Sequence, residues 1–182
     1  MAGKSDARVR YTQHALKQAF LTLLEEKSVN KITVKEVCEL AELNRATFYS
    51  HYSDCFALLE AIENELLEAF AQSLTLIKSF DVAALIEAIY DMIEKNEDAC
   101  RVLIFQNPGS PVIHRMIDYA RPQSIDYWRQ ELRASGEELE MLYTHLSNGL
   151  MHVVVEGYDR YERETVVQFV QRIVQASLSL FQ

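Results

Sequence analysis

A run of hydrogen-bonding side chains at residues 44–52, Asn-Arg-Ala-Thr-Phe-Tyr-Ser-His-Tyr, is the part of this chain best suited to chemistry. Arg45 can donate two parallel hydrogen bonds to guanine O6 and N7, and Thr47 can contact a thymine methyl group or a phosphate. The Tyr49 hydroxyl and the His51 ring can bind phosphate oxygens, which position a protein on a duplex without reading its sequence. These residue types indicate contact with nucleic acid.

Two short helices are needed to hold these side chains in place. Phe48 and Tyr52 lie four residues apart, so on a helix they share one face, which is predicted to pack on the core. Asn44 is suited to cap this helix, and Thr33 and Glu36 have the spacing of a capping box that opens the preceding one. Thr33 is also a phosphate candidate, because a helix start presents free N–H groups to an anion. The pair predicts a helix-turn-helix whose second helix enters the DNA major groove and exposes Arg45, Ala46, Thr47, Tyr49 and His51.

The rest of the chain shows helical periodicity and no strand pattern of any length. We predict an all-α fold of about nine helices. It comprises an N-terminal three-helix helix-turn-helix domain over residues 1–55 and a C-terminal helical bundle over residues 56–182. Pro122 is expected to kink or split its helix. The predicted helices cover residues 12–26, 33–41, 45–52, 54–78, 82–95, 98–105, 111–134, 137–158 and 164–181.

Charge is distributed unevenly between these parts. The chain carries a net charge of −9, yet residues 1–53 hold eight Lys/Arg and six Asp/Glu, a balance of +2. Residues 54–182 hold ten Lys/Arg and 21 Asp/Glu, a balance of −11. DNA contact requires local positive charge and not a basic average, so the acidic total does not exclude it. Lys4, Arg8 and Arg10 are predicted to form a loose basic arm.

Several function classes lack their signatures here. The sequence has no nucleophile elbow, P-loop, glycine-rich dinucleotide turn or usefully spaced carboxylate pair, so we expect no enzyme and no cofactor. Its three cysteines lack a CxxC spacing, and its histidines do not form a metal-binding pattern with carboxylates, so we expect no metal site. No apolar run approaches the roughly 18 residues of a membrane span, and no signal core precedes the chain's first helix. We expect a cytoplasmic protein without membrane contact.

Residues 12–63 resemble the DNA-binding head of the TetR/AcrR family of transcriptional regulators. The resemblance is carried by the apolar stripe of the first helix, the ITVKEV opening of the second, the LNRATFYSHY segment and the acid-capped fourth helix. It implies that Thr33, Asn44, Thr47, Tyr49 and His51 contact DNA. The chain departs from the family at Cys55, where a phosphate-binding lysine is usual, and lacks the usual glycine near residues 27–28.

The same resemblance has implications for the C-terminal bundle. Its final helix is apolar on nearly two faces, and in this family the last two helices form a homodimer interface. The family also holds a small-molecule cavity in this part of the chain. Aromatic residues at helical spacing are more often ordinary core, but an aromatic set with a few polar tips also suits a mostly apolar ligand. The candidates are Tyr90, Phe105, Tyr119, Tyr127, Trp128 and His145.

The sequence thus predicts a homodimeric repressor that binds a palindromic operator and leaves it when an unidentified small molecule fills the bundle. Its half-sites would lie one helical turn, roughly 34 Å, apart on double-stranded DNA. A TetR-like ligand-binding co-activator module that acts through protein contact and binds DNA weakly is the alternative, favoured by the net acidity and Cys55. A second hypothesis makes Cys55 an oxidation sensor, because a helix start lowers a thiol pKa; an ordinary small residue is its alternative.

Overall fold

The computed structural model describes residues 2–74, 81–107 and 110–182, with side chains from Ala7 onward. Within this part of the chain there is no strand, which confirms the predicted all-α fold. A 3₁₀ turn covers Val29–Lys31 and a π-helical turn covers Arg101–Phe105. The described α-helices are α1 Ala2–Glu26, α2 Val34–Leu40, α3 Arg45–Tyr49, α4 Cys55–Ser73, α5 Val82–Lys95, α6 Glu97–Cys100, α7 Pro111–Glu131, α8 Gly136–Gly157 and α9 Arg163–Ser179.

Contacts divide the chain into two compact units, Met1–Glu65 and Leu66–Gln182, which we call the head and the body. The division falls within α4, as does the predicted domain boundary after residue 55. The head has a core of its own, because apolar side chains from each of its four helical segments are fully buried there. They are Leu16, Phe20, Val37, Phe48 and Leu58.

Side-chain caps fix where the helices begin. The predicted capping box of α2 is confirmed: the Thr33 hydroxyl accepts from the Glu36 N–H at 3.3 Å, and the Glu36 carboxylate accepts from the Thr33 N–H at 2.9 Å. Asp54 Oδ1 accepts from the backbone of α4 at 2.8 Å, and Asp81 Oδ1 does the same for α5 at 2.9 Å. A second capping box opens α8 at Ser135. Each cap satisfies backbone donors that a helix start leaves unpaired.

Some helix bounds differ from those predicted. Helix α1 begins at Ala2, so the segment predicted as a loose arm is helical; it contains no proline or glycine pair that would stop a helix from extending. Helix α3 ends at Tyr49, earlier than predicted. Helix α7 continues unsplit through Pro122 and ends at Glu131. The predicted end of the fourth helix at Lys78 lies outside the described residues.

An arginine fork ties α5 to α9 in the body. Arg163, the first residue of α9, binds Glu87 Oε2 at 2.5 Å, Asp91 Oδ1 at 2.6 Å and Glu94 Oε1 at 3.0 Å. The three carboxylates follow one another along α5 at helical spacing, so one guanidinium spans two turns. Its hydrogen bond lowers the pKa of Asp91. Along the described ranges, no helix combines the length and the apolar character needed to span a membrane.

Candidate nucleic-acid interface and body cavity

Helix α3 is anchored by one face and exposed on the other. Phe48 is fully buried and Tyr52 is 8% exposed, with their ring centroids 5.9 Å apart, as the four-residue spacing predicted. Tyr49 packs edge-on against Phe48 at 5.6 Å but remains 57% exposed. The ring of Tyr49 is therefore held in position while its hydroxyl is free to contact a partner.

The two predicted threonine contacts already use their hydroxyl protons. Asn44 Oδ1 caps α3 by accepting from the Thr47 N–H at 2.8 Å, and it also accepts from the Thr47 hydroxyl at 3.1 Å. The Thr33 hydroxyl donates to Glu36 at 2.8 Å. Because phosphate oxygens only accept hydrogen bonds, neither hydroxyl can bind one without giving up its present partner. A methyl contact from Thr47 to thymine needs no such exchange.

The seven predicted DNA-contact residues all lie in the head. Thr47 and His51 are half-buried, and the other five are exposed: Thr33, Asn44, Arg45, Ala46 and Tyr49. No carboxylate of the described residues forms an ion pair with Arg45, so its guanidinium is free for a base or a phosphate. Of the five residues predicted to be exposed by the second helix, Arg45, Ala46 and Tyr49 are exposed, whereas Thr47 and His51 are only partly so.

The carboxylates of α2 are largely neutralised by neighbouring lysines. Lys27 lies 2.5 Å from Glu36, and this hydrogen bond, with those from Thr33, lowers the Glu36 pKa to about 2. Lys35 pairs with Glu39 at 3.6 Å. Lys31 is exposed on the 3₁₀ turn before α2, and among the described residues it has no ion-pair partner. Sequence reasoning did not single out Lys31, although its position two residues before Thr33 is a usable signal.

The turn between α2 and α3 has a strained residue. Glu42 has a φ of 54°, in the left-handed region that favours glycine. The Leu43 N–H donates to the Cys38 carbonyl at 2.9 Å across this residue, which is the hydrogen bond of a Schellman motif. Glu42 thus occupies the position where such helix ends most often have glycine, and it sets the direction in which the chain enters α3.

The body contains a cavity of about 140 Å³ lined by the end of α4 and by α5, α7, α8 and α9. Its walls are aliphatic and aromatic, with Trp128 among them. Polar side chains are few: Asp81, Ser124, Tyr143 and Ser147. Burial raises the pKa of Tyr143 to about 12, because an apolar site disfavours the charged phenolate. The cavity therefore suits an apolar molecule.

Solved structures resemble this fold over nearly the whole chain. A TetR transcriptional regulator from Streptococcus agalactiae 2603V aligns over 96% of this chain and 99% of its own, with a TM-score of 0.67 and 22% identity. The chain has the TetR fold. The dihydroxyacetone kinase operon activator DhaS aligns over 94% of this chain and 98% of its own, with a TM-score of 0.60 and 14% identity.

Sequence comparison gives a more limited result for this TetR-fold chain. YxbF from Bacillus subtilis strain 168, an uncharacterized HTH-type transcriptional regulator, is 31% identical over 110 residues. The alignment covers 60% of this chain but only 27% of YxbF, so the chain matches about a quarter of that relative's length. No family model matches the sequence.

Of the six residues predicted to bind a ligand in the TetR-type body, only Trp128 lines the cavity. Tyr90 and Phe105 instead stack on Tyr158, with ring centroids 5.5 Å and 5.0 Å away. The remaining three project elsewhere: Tyr119 is 44% exposed, His145 is exposed and Tyr127 is half-buried. Helical spacing alone does not tell which aromatic face meets a cavity. Most of the lining is aliphatic and had no distinguishing signal in the sequence.

Cys55 is part of the core in this TetR-type head. It is 5% exposed, and burial, with the nearby Asp54 carboxylate, raises the pKa of its thiol. The expected lowering of this pKa was wrong, because removal from water outweighs the effect of the helix start. At this exposure the Cys55 side chain is not available to contact a phosphate.

Proposed function

We propose that this protein is a DNA-binding transcriptional regulator of the TetR type, acting as a repressor on a palindromic operator. One observation carries the proposal: α3 is fixed to the core by Phe48 while it exposes Arg45, Ala46 and Tyr49 to solvent. A helix held in this way can enter a major groove as a rigid element. YxbF, named as an HTH-type transcriptional regulator, and the Streptococcus agalactiae structure, named as a TetR transcriptional regulator, support the same function.

Each exposed residue is given a role by its chemistry. Arg45 reads a guanine through a bidentate hydrogen bond, and Thr47 contacts a thymine methyl group. The Tyr49 hydroxyl and the Lys31 ammonium group bind phosphates and so position the head. His51 and Asn44 add donors at the same surface, the latter through its free amide nitrogen. Only Arg45 and Thr47 would then affect which sequence is preferred.

The partner that completes the operator-binding unit is a second copy of the chain. On α9, Phe169 is 43% exposed and Ile173 is 41% exposed, and Leu180, directly after the helix, is 79% exposed. Met141 on α8 is 64% exposed. Buried valines occupy the other side of α9, so this helix has the two apolar faces that the sequence predicted. An exposed apolar face of this kind favours self-association. A two-fold dimer would present two copies of α3 to half-sites about 34 Å apart.

The effector is a small molecule bound in the body cavity, and α4 carries its effect to the head. Phe70 of α4 lines the cavity, and the same helix begins at Cys55 in the head. Movement of α4 on ligand binding would alter the placement of α3 in a dimer and lower operator affinity. Such coupling is typically ~1–3 kcal/mol and is reciprocal, so operator DNA weakens ligand binding by the same factor.

Selection of bound duplexes from a random DNA pool tests the proposal. The expected result is enrichment of a palindrome with half-sites one turn apart. On that palindrome, Arg45→Ala should weaken binding by ~1–3 kcal/mol and relax preference at one base pair per half-site. Arg129→Ala is the matched control, since Arg129 is an exposed body arginine that pairs with Asp126 at 3.0 Å. Equal loss on every sequence would contradict the base-reading role of Arg45.

The dimer is tested separately by sedimentation. Ile173→Glu should convert the protein to a monomer, because it places a charge on the exposed apolar face of α9. Gln175→Glu adds the same charge on another face of α9, where Gln175 is exposed, and should leave the dimer intact. A folded dimer that enriches no sequence would instead favour the co-activator module, to which the net charge of −9 also points.

A further inference from the structure

The polar groups around the body cavity differ in whether they already have hydrogen-bond partners. The Ser124 hydroxyl donates to the Ala120 carbonyl at 2.9 Å, and the Tyr143 hydroxyl donates to the Ile117 carbonyl at 2.5 Å. Asp81 Oδ1 is occupied as the cap of α5. These groups are satisfied within the protein, so they offer little to a bound molecule.

Ser147 is the exception among the described hydroxyl groups of the lining. Its hydroxyl oxygen is buried and has no hydrogen-bond partner of normal geometry, although a looser contact with the Tyr143 hydroxyl offsets a small part of the rise that burial causes in the pKa of that phenol. Serines within helices commonly donate to the carbonyl four residues earlier, as Ser124 does. A buried hydroxyl without a partner is unfavourable, and a polar group on a ligand would remove that cost.

The lining also disfavours either sign of charge on a ligand. None of the described lining residues is a lysine, arginine or histidine, and the one carboxylate among them, that of Asp81, is exposed. An anion would enter without a counter-charge and past a like charge. For a cation, the described lining offers one carboxylate, Asp81, which is exposed and whose Oδ1 already caps α5, and the Tyr143 ring already has Arg121 4.9 Å from its centroid. A buried charge without a free counter-charge close to it is strongly unfavourable.

We infer that the cavity takes an uncharged, mostly hydrocarbon molecule with a body about the size of one benzene ring, held by a single hydrogen bond to Ser147. The volume of about 140 Å³ is close to that of apolar cavities of about 150 Å³ that hold benzene. This inference rests on the proposed effector site and specifies the chemical class of its ligand. Ser147 is the specificity residue, and the apolar walls supply most of the affinity.

Four compounds with a benzene ring and one small substituent distinguish the possible ligand classes by the polarity and charge of that substituent: toluene, benzyl alcohol, benzoate and benzylammonium. Trp128 is the chain's one tryptophan and lines the cavity, so its fluorescence reports binding to the full-length protein without DNA. Benzyl alcohol should bind about two- to tenfold more tightly than toluene, the effect of one hydrogen bond of ordinary strength. Benzoate and benzylammonium should bind on the order of a hundredfold more weakly than the alcohol.

Two serine variants test whether Ser147 is the anchor. Ser147→Ala should reduce the preference for benzyl alcohol over toluene to one or below, because the buried hydroxyl of the alcohol then lacks its partner, while leaving toluene affinity nearly unchanged. Ser124→Ala removes a hydroxyl from the same cavity that already has a partner, so it should keep the preference. The inference is overturned if the preference survives Ser147→Ala, if benzoate binds as tightly as the alcohol, or if none of the four probes binds saturably.

These outcomes are independent of the test on DNA. Saturable binding with the expected preferences in a protein that enriches no palindrome would overturn the repressor function and keep the ligand class. Enrichment of a palindrome by a protein that prefers benzoate would keep the regulator and overturn the ligand class. If both hold, benzyl alcohol should weaken operator binding in wild type more than in Ser147→Ala.

Discussion

Replacing Glu42 with glycine should stabilise the protein, although it removes a side chain and adds no contact. Glu42 has a φ of 54° in the turn between α2 and α3. A residue with a Cβ in the left-handed region is disfavoured by roughly 1–2 kcal/mol, because the Cβ crowds the following carbonyl. Glycine has no Cβ, so the turn keeps its hydrogen bonds at a lower conformational cost.

The net effect is smaller than the strain that is removed. Glycine is more flexible in the unfolded chain, which offsets the gain by about 0.4–1 kcal/mol. We therefore expect the free energy of unfolding to rise by about 0.5–1 kcal/mol for Glu42→Gly. For a chain of this length, 1 kcal/mol corresponds to a change in melting temperature of about 2–4 °C.

Denaturant unfolding at one fixed protein concentration is the assay, since a dimer makes stability depend on concentration. Glu42→Ala removes the carboxylate but keeps the Cβ, so it should change stability little. Glu60→Gly places glycine at an exposed site within α4 and should cost about 1 kcal/mol. If Glu42→Ala stabilises as much as Glu42→Gly, the gain comes from lost charge and the backbone argument is refuted.

Three further predictions concern charge and thiols. The folded-state pKa of Glu36, about 2, lies below its ordinary value of 4.5, so the unfolded chain takes up this proton first as the pH falls. The stability advantage of wild type over Glu36→Gln should therefore shrink as pH falls from 4.5 to 2. An advantage that stays unchanged across that interval would contradict this prediction. Arg163→Lys should lower the free energy of unfolding by about 1 kcal/mol, and by less at high salt, because an ammonium group cannot bind three carboxylates at once as the guanidinium does. A difference in melting temperature between the variant and wild type that does not depend on salt would count against this reason. All three thiols should resist labelling at neutral pH until the protein unfolds, since Cys38, Cys55 and Cys100 are buried, and rapid native labelling would disprove it.

The head was predictable because its determinants are local. The capping box at Thr33, the cap at Asn44 and the four-residue spacing of Phe48 and Tyr52 each involve residues within one turn of each other. Such local signals do not depend on how the rest of the chain packs. The left-handed turn was not foreseen, because glycine is the usual marker of that backbone and Glu42 carries no such signal.

The body was predictable only at the level of its helices. Its cavity is lined by residues from Phe70 to Leu178, which come together through packing of five helices and share no spacing in the sequence. Their aromatic side chains made Tyr90 and Phe105 ligand candidates, yet both rings stack on Tyr158 and neither lines the cavity. Ser147, whose hydroxyl is the least satisfied of the cavity, is a serine within a helix and has no distinguishing signal in the sequence.

Proline within α7 gives that helix a preferred place to bend. Pro122 has no N–H, so the carbonyl four residues earlier loses its helical hydrogen bond and the local resistance to bending falls. The cavity is lined by Ala120 just before this point and by Ser124 and Trp128 after it. A bend of α7 at Pro122 would therefore shift one part of the cavity wall relative to the other while the helical hydrogen bonds on either side of the proline stay intact.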